Sequence, residues 1–299
     1  MKRIQFLAIL FFAAISADSQ QLTASSFYEM YGVLHNPATA GSKRHGSIGG
    51  TFRTQWEGMP GGPQTGLVFG NTYLSKAKLG LGGYVYNDVT GPTRRTGLQT
   101  AISYHIPMND NKASLSFGLE GRFQQFSFDR EKLQPVLGND PVIAGNENRM
   151  KGDAGFGVAF TTSDFQIGAS VSQLIQSKLQ LYEGQGNPNE EAKLYRHYYL
   201  HSNYNWDIDE STRIIPNILF IYLPNAPLEV QGGARVEHSN TFWYGLAYRA
   251  RQAWMINAGL RIKGRFNIGY SFDIYTTPLS IYDKGSNGHE VMLRYDFIK

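Results

Sequence analysis

The stretch RFNIGYSFDIY, beginning at Arg265, alternates without a break: Phe266, Ile268, Tyr270, Phe272 and Ile274 are apolar, with Asn267, Gly269, Ser271 and Asp273 between them. Successive side chains of a strand point to opposite faces, so such a segment has one apolar and one polar face. The pattern recurs along the chain. Trp254, Ile256, Ala258, Leu260 and Ile262 alternate with Asn257, Gly259, Arg261 and Lys263. Ala113, Leu115, Phe117, Leu119 and Phe123 oppose Ser114, Ser116, Gly118, Glu120 and Arg122. Val291, Leu293, Tyr295 and Phe297 alternate with Met292, Arg294 and Asp296.

Two architectures use strands of this kind. A soluble sandwich turns the apolar face inward; a membrane barrel turns it outward to lipid and keeps a polar interior. Many of these segments run about 10–12 residues, the span of a tilted transmembrane strand, whereas sandwich strands run about 5–6. Aromatic residues also gather toward strand ends, at Tyr84, Tyr86, Tyr104, Trp206, Trp243, Tyr244, Trp254 and Tyr275. This is the pattern expected of interfacial girdles.

Counting hairpins decides between the two. Strands are expected near 47–57, 64–75, 78–87, 94–106, 112–127, 150–161, 164–176, 196–207, 212–222, 228–237, 241–250, 253–263, 265–275 and 289–298. The total is fourteen, an even number as single-chain bacterial barrels require. With the first strand starting in the periplasm, one set of connections is 75–77, 107–111, 162–163, 207–211, 238–240 and 264, all short. The opposite set holds every long connection: 129–149, 177–195 and 276–288. Short periplasmic turns and long outer loops are the mark of an outer-membrane barrel. The expected fold is therefore an all-β, 14-stranded antiparallel transmembrane barrel, with strands over 47–299.

The N-terminus is a separate matter. Lys2 and Arg3 precede an apolar run from Ile4 to Ile15, broken only by Gln5, and then Ser16, Ala17, Asp18 and Ser19. This reads as a signal peptide over 1–19, cleaved before Gln20. The run falls short of the ~20 residues that a spanning helix needs. The chain has no Cys, which removes lipid attachment through an N-terminal cysteine, disulfides and thiolate chemistry. Its 33 Gly, 18 Tyr and 18 Phe against 17% charged residues favour strands over helices. The net charge of +4 is carried by scattered basic residues, and no nucleic-acid partner is expected.

Residues 20–46 form a compact segment ahead of the first strand. Asn36 can cap a helical turn and Pro37 suits its first position. Ala38 and Ala40 continue the turn, and Gly41 supplies a left-handed stop. Phe27, Tyr28, Met30, Tyr31, Val33 and Leu34 need something to pack against. The segment is expected to enter the lumen from the periplasm as a plug.

Four stretches then take on meaning together: FYEMYGVLHNPATAGS, FRTQWEGMPGGPQT, GLGGYVYNDVTGP and AISYHIPMNDNKASLSFGLEG. They resemble the PorP/SprF family of type IX secretion system membrane proteins of the Bacteroidota, over essentially the whole mature chain. The resemblance is strongest in the knot Asn36, Pro37, Ala38, Ala40 and Gly41, and in Arg53, Gln55, Trp56 and Gly58. The Gly-Leu-Gly strand and Tyr104, His105 and Ile106 also match; His35 stands where the family often has an aromatic or aliphatic residue. The resemblance implies an outer-membrane barrel in contact with lipid. It also implies support for secretion or surface anchoring of adhesins, gliding adhesins among them, that carry type B C-terminal sorting domains. Implied partners are those cargo domains and other secretion components, including periplasmic ring and peptidoglycan-binding proteins.

Inward-facing charges are expected at Glu120, Arg122, Asp153, Arg235, Glu237, Arg261, Lys263, Asp273, Arg294 and Asp296. They either line a peptide or solute path or neutralise one another inside a closed barrel. No enzyme activity and no cofactor or metal is expected. GLGGYVYN lacks a following helix to carry a phosphate. His197 and His201, four apart on a strand, are separated by roughly 13 Å, too far to share a metal. The alternative function is a passive outer-membrane porin or channel.

Overall fold

The computed structural model describes residues 25–110, 112–129, 132, 147–179, 192–224, 226–276 and 287–298. The proposed signal peptide, its cleavage site and most of the three long loops lie outside these residues. Fourteen strands form the wall. The first seven are β1 (Gly46–Thr54), β2 (Gln64–Leu74), β3 (Leu79–Thr90), β4 (Thr93–Met108), β5 (Ala113–Phe128), β6 (Glu147–Thr162) and β7 (Phe165–Ser172). The others are β8 (His197–Tyr204), β9 (Thr212–Tyr222), β10 (Glu229–His238), β11 (Phe242–Arg249), β12 (Ala253–Ile262), β13 (Phe266–Tyr275) and β14 (Asn287–Phe297). Two-residue ladders add a rung at Trp206–Asp207 and pair Lys178–Leu179 with Ala192–Lys193.

Each strand pairs antiparallel with its sequence neighbours, and β1 closes the ring against β14 in the register Gly46↔Phe297 to Thr54↔His289. Closure leaves no edge, the condition for a sheet to sit in lipid. The turns at one end are short: 75–78, 109–112, 163–164, 205–211, 239–241 and 263–265. Two of them, 239–241 and 263–265, open with two left-handed residues, Ser239–Asn240 and Lys263–Gly264, closed by the Thr241 and Arg265 amides onto the His238 and Ile262 carbonyls. That geometry matches the twist of the flanking strands. Outer-membrane barrels keep their short turns on the periplasmic side, so this end is taken as the periplasmic one.

The outward positions form a lipid-facing belt: Ile48, Val68, Leu98, Leu119, Phe123, Leu246, Ile256 and Leu293 are all exposed. Burial switches with every residue along most strands, as in Ala253 to Ala258 of β12. Two expectations need correction. Tyr104, Trp206, Tyr244 and Trp254 are exposed on the outside, but Tyr84, Tyr86, Trp243 and Tyr275 are buried and turn inward. Their strand positions have inward parity; Tyr84, Tyr86 and Trp243 meet the plug instead of lipid headgroups, and Tyr275 meets Arg53 and Gln55. Lys263 does not line the lumen; it sits in the β12–β13 turn with φ 51°, exposed. The strand ends at Ile262, one residue before the alternation would have placed Lys263 inside.

Candidate functional site: the plugged lumen

Residues 25–45 occupy the barrel interior. The chain begins high, beside residues near the outer ends of β1, β13 and β14, and descends to the periplasmic start of β1. Three single 3-10 turns break its course: Tyr28–Met30, Gly32–Leu34 and Pro37–Thr39. No long helix fits because each stretch must present side chains to a different part of the wall.

An apolar core fills the lumen. Phe27, Met30, Tyr31 and Leu34 from the plug pack with Leu67, Phe69, Tyr84, Tyr86, Trp243 and Met292 from the wall. Tyr31 stacks on Phe69 at 4.7 Å between centroids, and Phe27 meets Trp243 edge-on at 5.9 Å. Tyr28 joins Tyr199, Leu219 and Ile221. A barrel interior is ordinarily polar; here the wall is apolar where the plug is apolar, so both surfaces leave water together.

The knot has a different seat. Asn36 Oδ1 accepts from the Ala38 amide at 2.9 Å, capping the turn that starts at Pro37. Gly41 follows with φ 69°. Asn36 Nδ2 donates to the carbonyls of Val158 (3.1 Å) and Ala169 (3.3 Å) and lies 3.1 Å from His201 Nε2. The Ala40 carbonyl accepts from Ser103 Oγ at 2.7 Å and lies 2.8 Å from His105 Nε2. This Ser–His pair grips a backbone oxygen. Beneath the knot the wall is glycine. A Cβ at Gly80 would stand 1.9 Å from the Ala40 oxygen, one at Gly118 2.3 Å from the Ala38 nitrogen, and one at Gly157 2.1 Å from Asn36 Oδ1. At Gly80 and Gly118 backbone meets backbone, and at Gly157 the Asn36 amide meets the wall backbone, approaches only glycine allows.

Above, the plug meets charge. Arg53 is fully buried; its Nη2 lies 2.5 Å from Asp273 and its Nη1 2.9 Å from Glu290. Ser26 Oγ donates to Asp273 at 2.9 Å and accepts from Arg53 at 2.8 Å, and the Ser26 amide donates to Glu290 at 2.7 Å. Ser25 Oγ donates to Glu290 at 2.6 Å and hydrogen-bonds the Tyr31 hydroxyl. Tyr275 donates to Gln55 Oε1 at 2.8 Å, and the Trp56 ring lies 6.5 Å from Tyr275.

The inward charges form connected groups. Arg235 pairs with Glu29 of the plug at 2.7 Å and with Glu237, which also holds Arg261 at 3.0 Å. Arg294 bridges Asp296 at 2.8 Å and donates to the Met30 carbonyl. Arg122 pairs with Glu120 at 3.1 Å, and Glu120 also accepts from Gln99 and Ser172. Asp153 instead accepts backbone amides from Ala154 and Ile175. His35, buried between Tyr28 and Tyr199, is pushed down to about 3 by burial, helped by nearby His201, Arg122 and Arg249. It is neutral in the docked plug.

A family model described as "Type IX secretion system membrane protein PorP/SprF" matches residues 17–295. The chain belongs to the PorP/SprF family. No curated protein matches the sequence. Among solved structures it is similar in fold to the Ralstonia pickettii toluene transporter TbuX, at TM-score 0.53 and 10% identity over 90% of this chain and 92% of that one. Similar matches are Acinetobacter baumannii Omp33 (TM-score 0.51, 8% identity, 85% and 98% covered) and a Pseudomonas aeruginosa FadL homologue (0.51, 13%, 88% and 93%). At these identities the likeness is one of fold alone.

The motifs that carry the PorP/SprF resemblance converge on the plug. Asn36, Pro37, Ala38, Ala40 and Gly41 form the knot, while Arg53, Gln55 and Trp56 stand around the upper charged seat. Gly58 is apart, exposed in the turn after β1. The residues that sequence reasoning missed are the plug's receptors: Ser25, Ser26, Leu67, Phe69, Gln99, Gly118, Gly157, Leu219, Trp243 and Glu290. One signal was available. Leu67, Val68 and Phe69, and again Ile218 to Tyr222, are apolar on both faces, which a strand needs only when both faces are covered.

Proposed function

We propose that this PorP/SprF protein is a closed outer-membrane anchor. It supports secretion and surface retention of adhesins with type B C-terminal sorting domains, together with other type IX components. The observation that carries this reading is the plug. A segment seated in buried ion pairs on β1, β13 and β14 and on glycine backbone at β3, β5 and β6 suits a sealed barrel better than a diffusion pore. The family supplies the link to secretion. The three long outer loops, 129–149, 177–195 and 276–288, would form the face that holds the cargo domain.

Replacing residues 179–192 by a short Gly-Ser turn tests the reading in cells. Loops bury little and tolerate change, so the barrel should still assemble while adhesin appears in the medium instead of on the cell. If adhesin stays attached when each of the three loops is shortened in turn, retention by the outer face is wrong. A role confined to export or to the periplasmic side would replace it.

A further inference from the structure

At the periplasmic end the lumen opens into a vestibule of about 630 Å³ beneath the plug, within the range of ligand pockets. Its lining carries seven lysines and arginines against three carboxylates. All three carboxylates are engaged: Glu29 and Glu237 by Arg235 and Arg261, Asp296 by Arg294. Arg213 has its own partner in Asp207. Lys43, Arg44 and Lys112 are left over. Among the described residues no carboxylate lies within ion-pair distance of them. Lys43 reaches only the Met30 carbonyl at 3.3 Å, and Arg44 lies 5.8 Å above the Tyr73 ring. Lys43 is pushed down to about 8, chiefly by desolvation within the concavity and then by Arg294. It is a cation that gains from an incoming anion.

We propose that this vestibule binds an acidic peptide segment presented from the periplasm, its carboxylates paired by Lys43, Arg44 and Lys112. The inference goes beyond adhesin retention and does not depend on it. Geometry favours a peptide over a small anion. Lys43 and Arg44 precede β1 and Lys112 precedes β5, four strands along the wall, on the order of 19 Å at the usual strand spacing. One phosphate cannot bridge that arc, but an extended chain with alternate carboxylates can. Geometry also disfavours lipid. These groups line the inside of the ring, and the strand wall separates them from the headgroups outside. Away from these three cations, the turns after β6 and β8 expose Asp164, Asp209 and Glu210, which would turn an acidic segment toward the β1–β5 side.

The test uses the purified full-length barrel at low salt and a fluorescein-labelled hexaglutamate peptide, read by anisotropy. Wild type should bind, and K43Q/R44Q/K112Q should weaken binding at least about tenfold, as three partly exposed ion pairs predict. K76Q/K78Q, on the turn after β2 and outside the vestibule lining, should change it less than about twofold. The charge-reversed K43E/R44E/K112E should instead prefer hexalysine, which shows that it is folded and that the site is intact. Several results would overturn the proposal: equal loss in K76Q/K78Q, no loss in the triple variant, or hexalysine binding to wild type as tightly. Full displacement by millimolar inorganic phosphate would point to a small-anion site. A triple variant that loses binding to phosphatidylglycerol vesicles but keeps hexaglutamate would point to lipid.

Discussion

On one side of the ring the plug meets glycine; on the other it meets charge. The knot at Asn36–Ala40 lies on β3, β5 and β6, its backbone against Gly80 and Gly118 and its Asn36 side chain against Gly157, and no ion pair holds it. Ser25 and Ser26 lie against the charged side chains of Arg53, Asp273 and Glu290. The first seat selects by shape and leaves no room for a side chain on the wall. The second selects by charge, and each partner is needed because each neutralises another. A plug held by both should resist high salt, since the charged seat is dry and the glycine seat is neutral.

The largest effect should come from Arg53→Ala. Removing it leaves Asp273 and Glu290 buried without a counter-charge, a loss of about 3–5 kcal/mol. The chain has no Cys, so a single Val33→Cys substitution, buried when the plug is docked, reports undocking through its thiol labelling rate. That rate should rise strongly in Arg53→Ala and recover in part when Asp273→Asn and Glu290→Gln are added. Failure of the added pair to recover docking would mean that Arg53 acts through packing alone.

Gly118→Val should act next, through the other seat. Its side chain would enter the space of the Pro37–Ala38 backbone, and overpacking costs about 1–3 kcal/mol. Labelling should rise in this variant, and removing the two carboxylates should not restore it. If the two seats respond to the same rescue, they are not independent.

The smallest effect is one of pH. His35 sits near 3 in the docked plug against 6.5 when free. The docked state therefore binds fewer protons than the undocked state between those values. Docking is full above pH 6.5 and weakens as pH falls below it, by roughly tenfold per unit. Thiol labelling at Val33→Cys between pH 7 and 5 should show this rise, and His35→Gln should reduce it.

How much of this was legible in the sequence follows from what alternation encodes. It gives the face of each residue, so the strands, their parity and the inward direction of Arg235, Asp273 and Arg294 could be read directly. It does not say which inward residues meet one another across the lumen. Gly118 and Gly157 read only as glycines within strands, and their role depends on a ring closed through β14 to β1. Trp243 and Tyr84 read as girdle aromatics because their distance from the strand end was visible and the plug facing them was not. Lys263 was misplaced by one residue, where a left-handed turn replaced the strand.

Residues 25–45 close the barrel. Planar-bilayer recordings of the full-length protein, beside Arg53→Ala/Gly118→Val with both seats broken, test it most directly. Wild type should insert without sustained current, and the double variant should open ion-conducting channels at the same protein dose. Steady conductance from wild type, unchanged in the double variant, would contradict the account and make the barrel a pore.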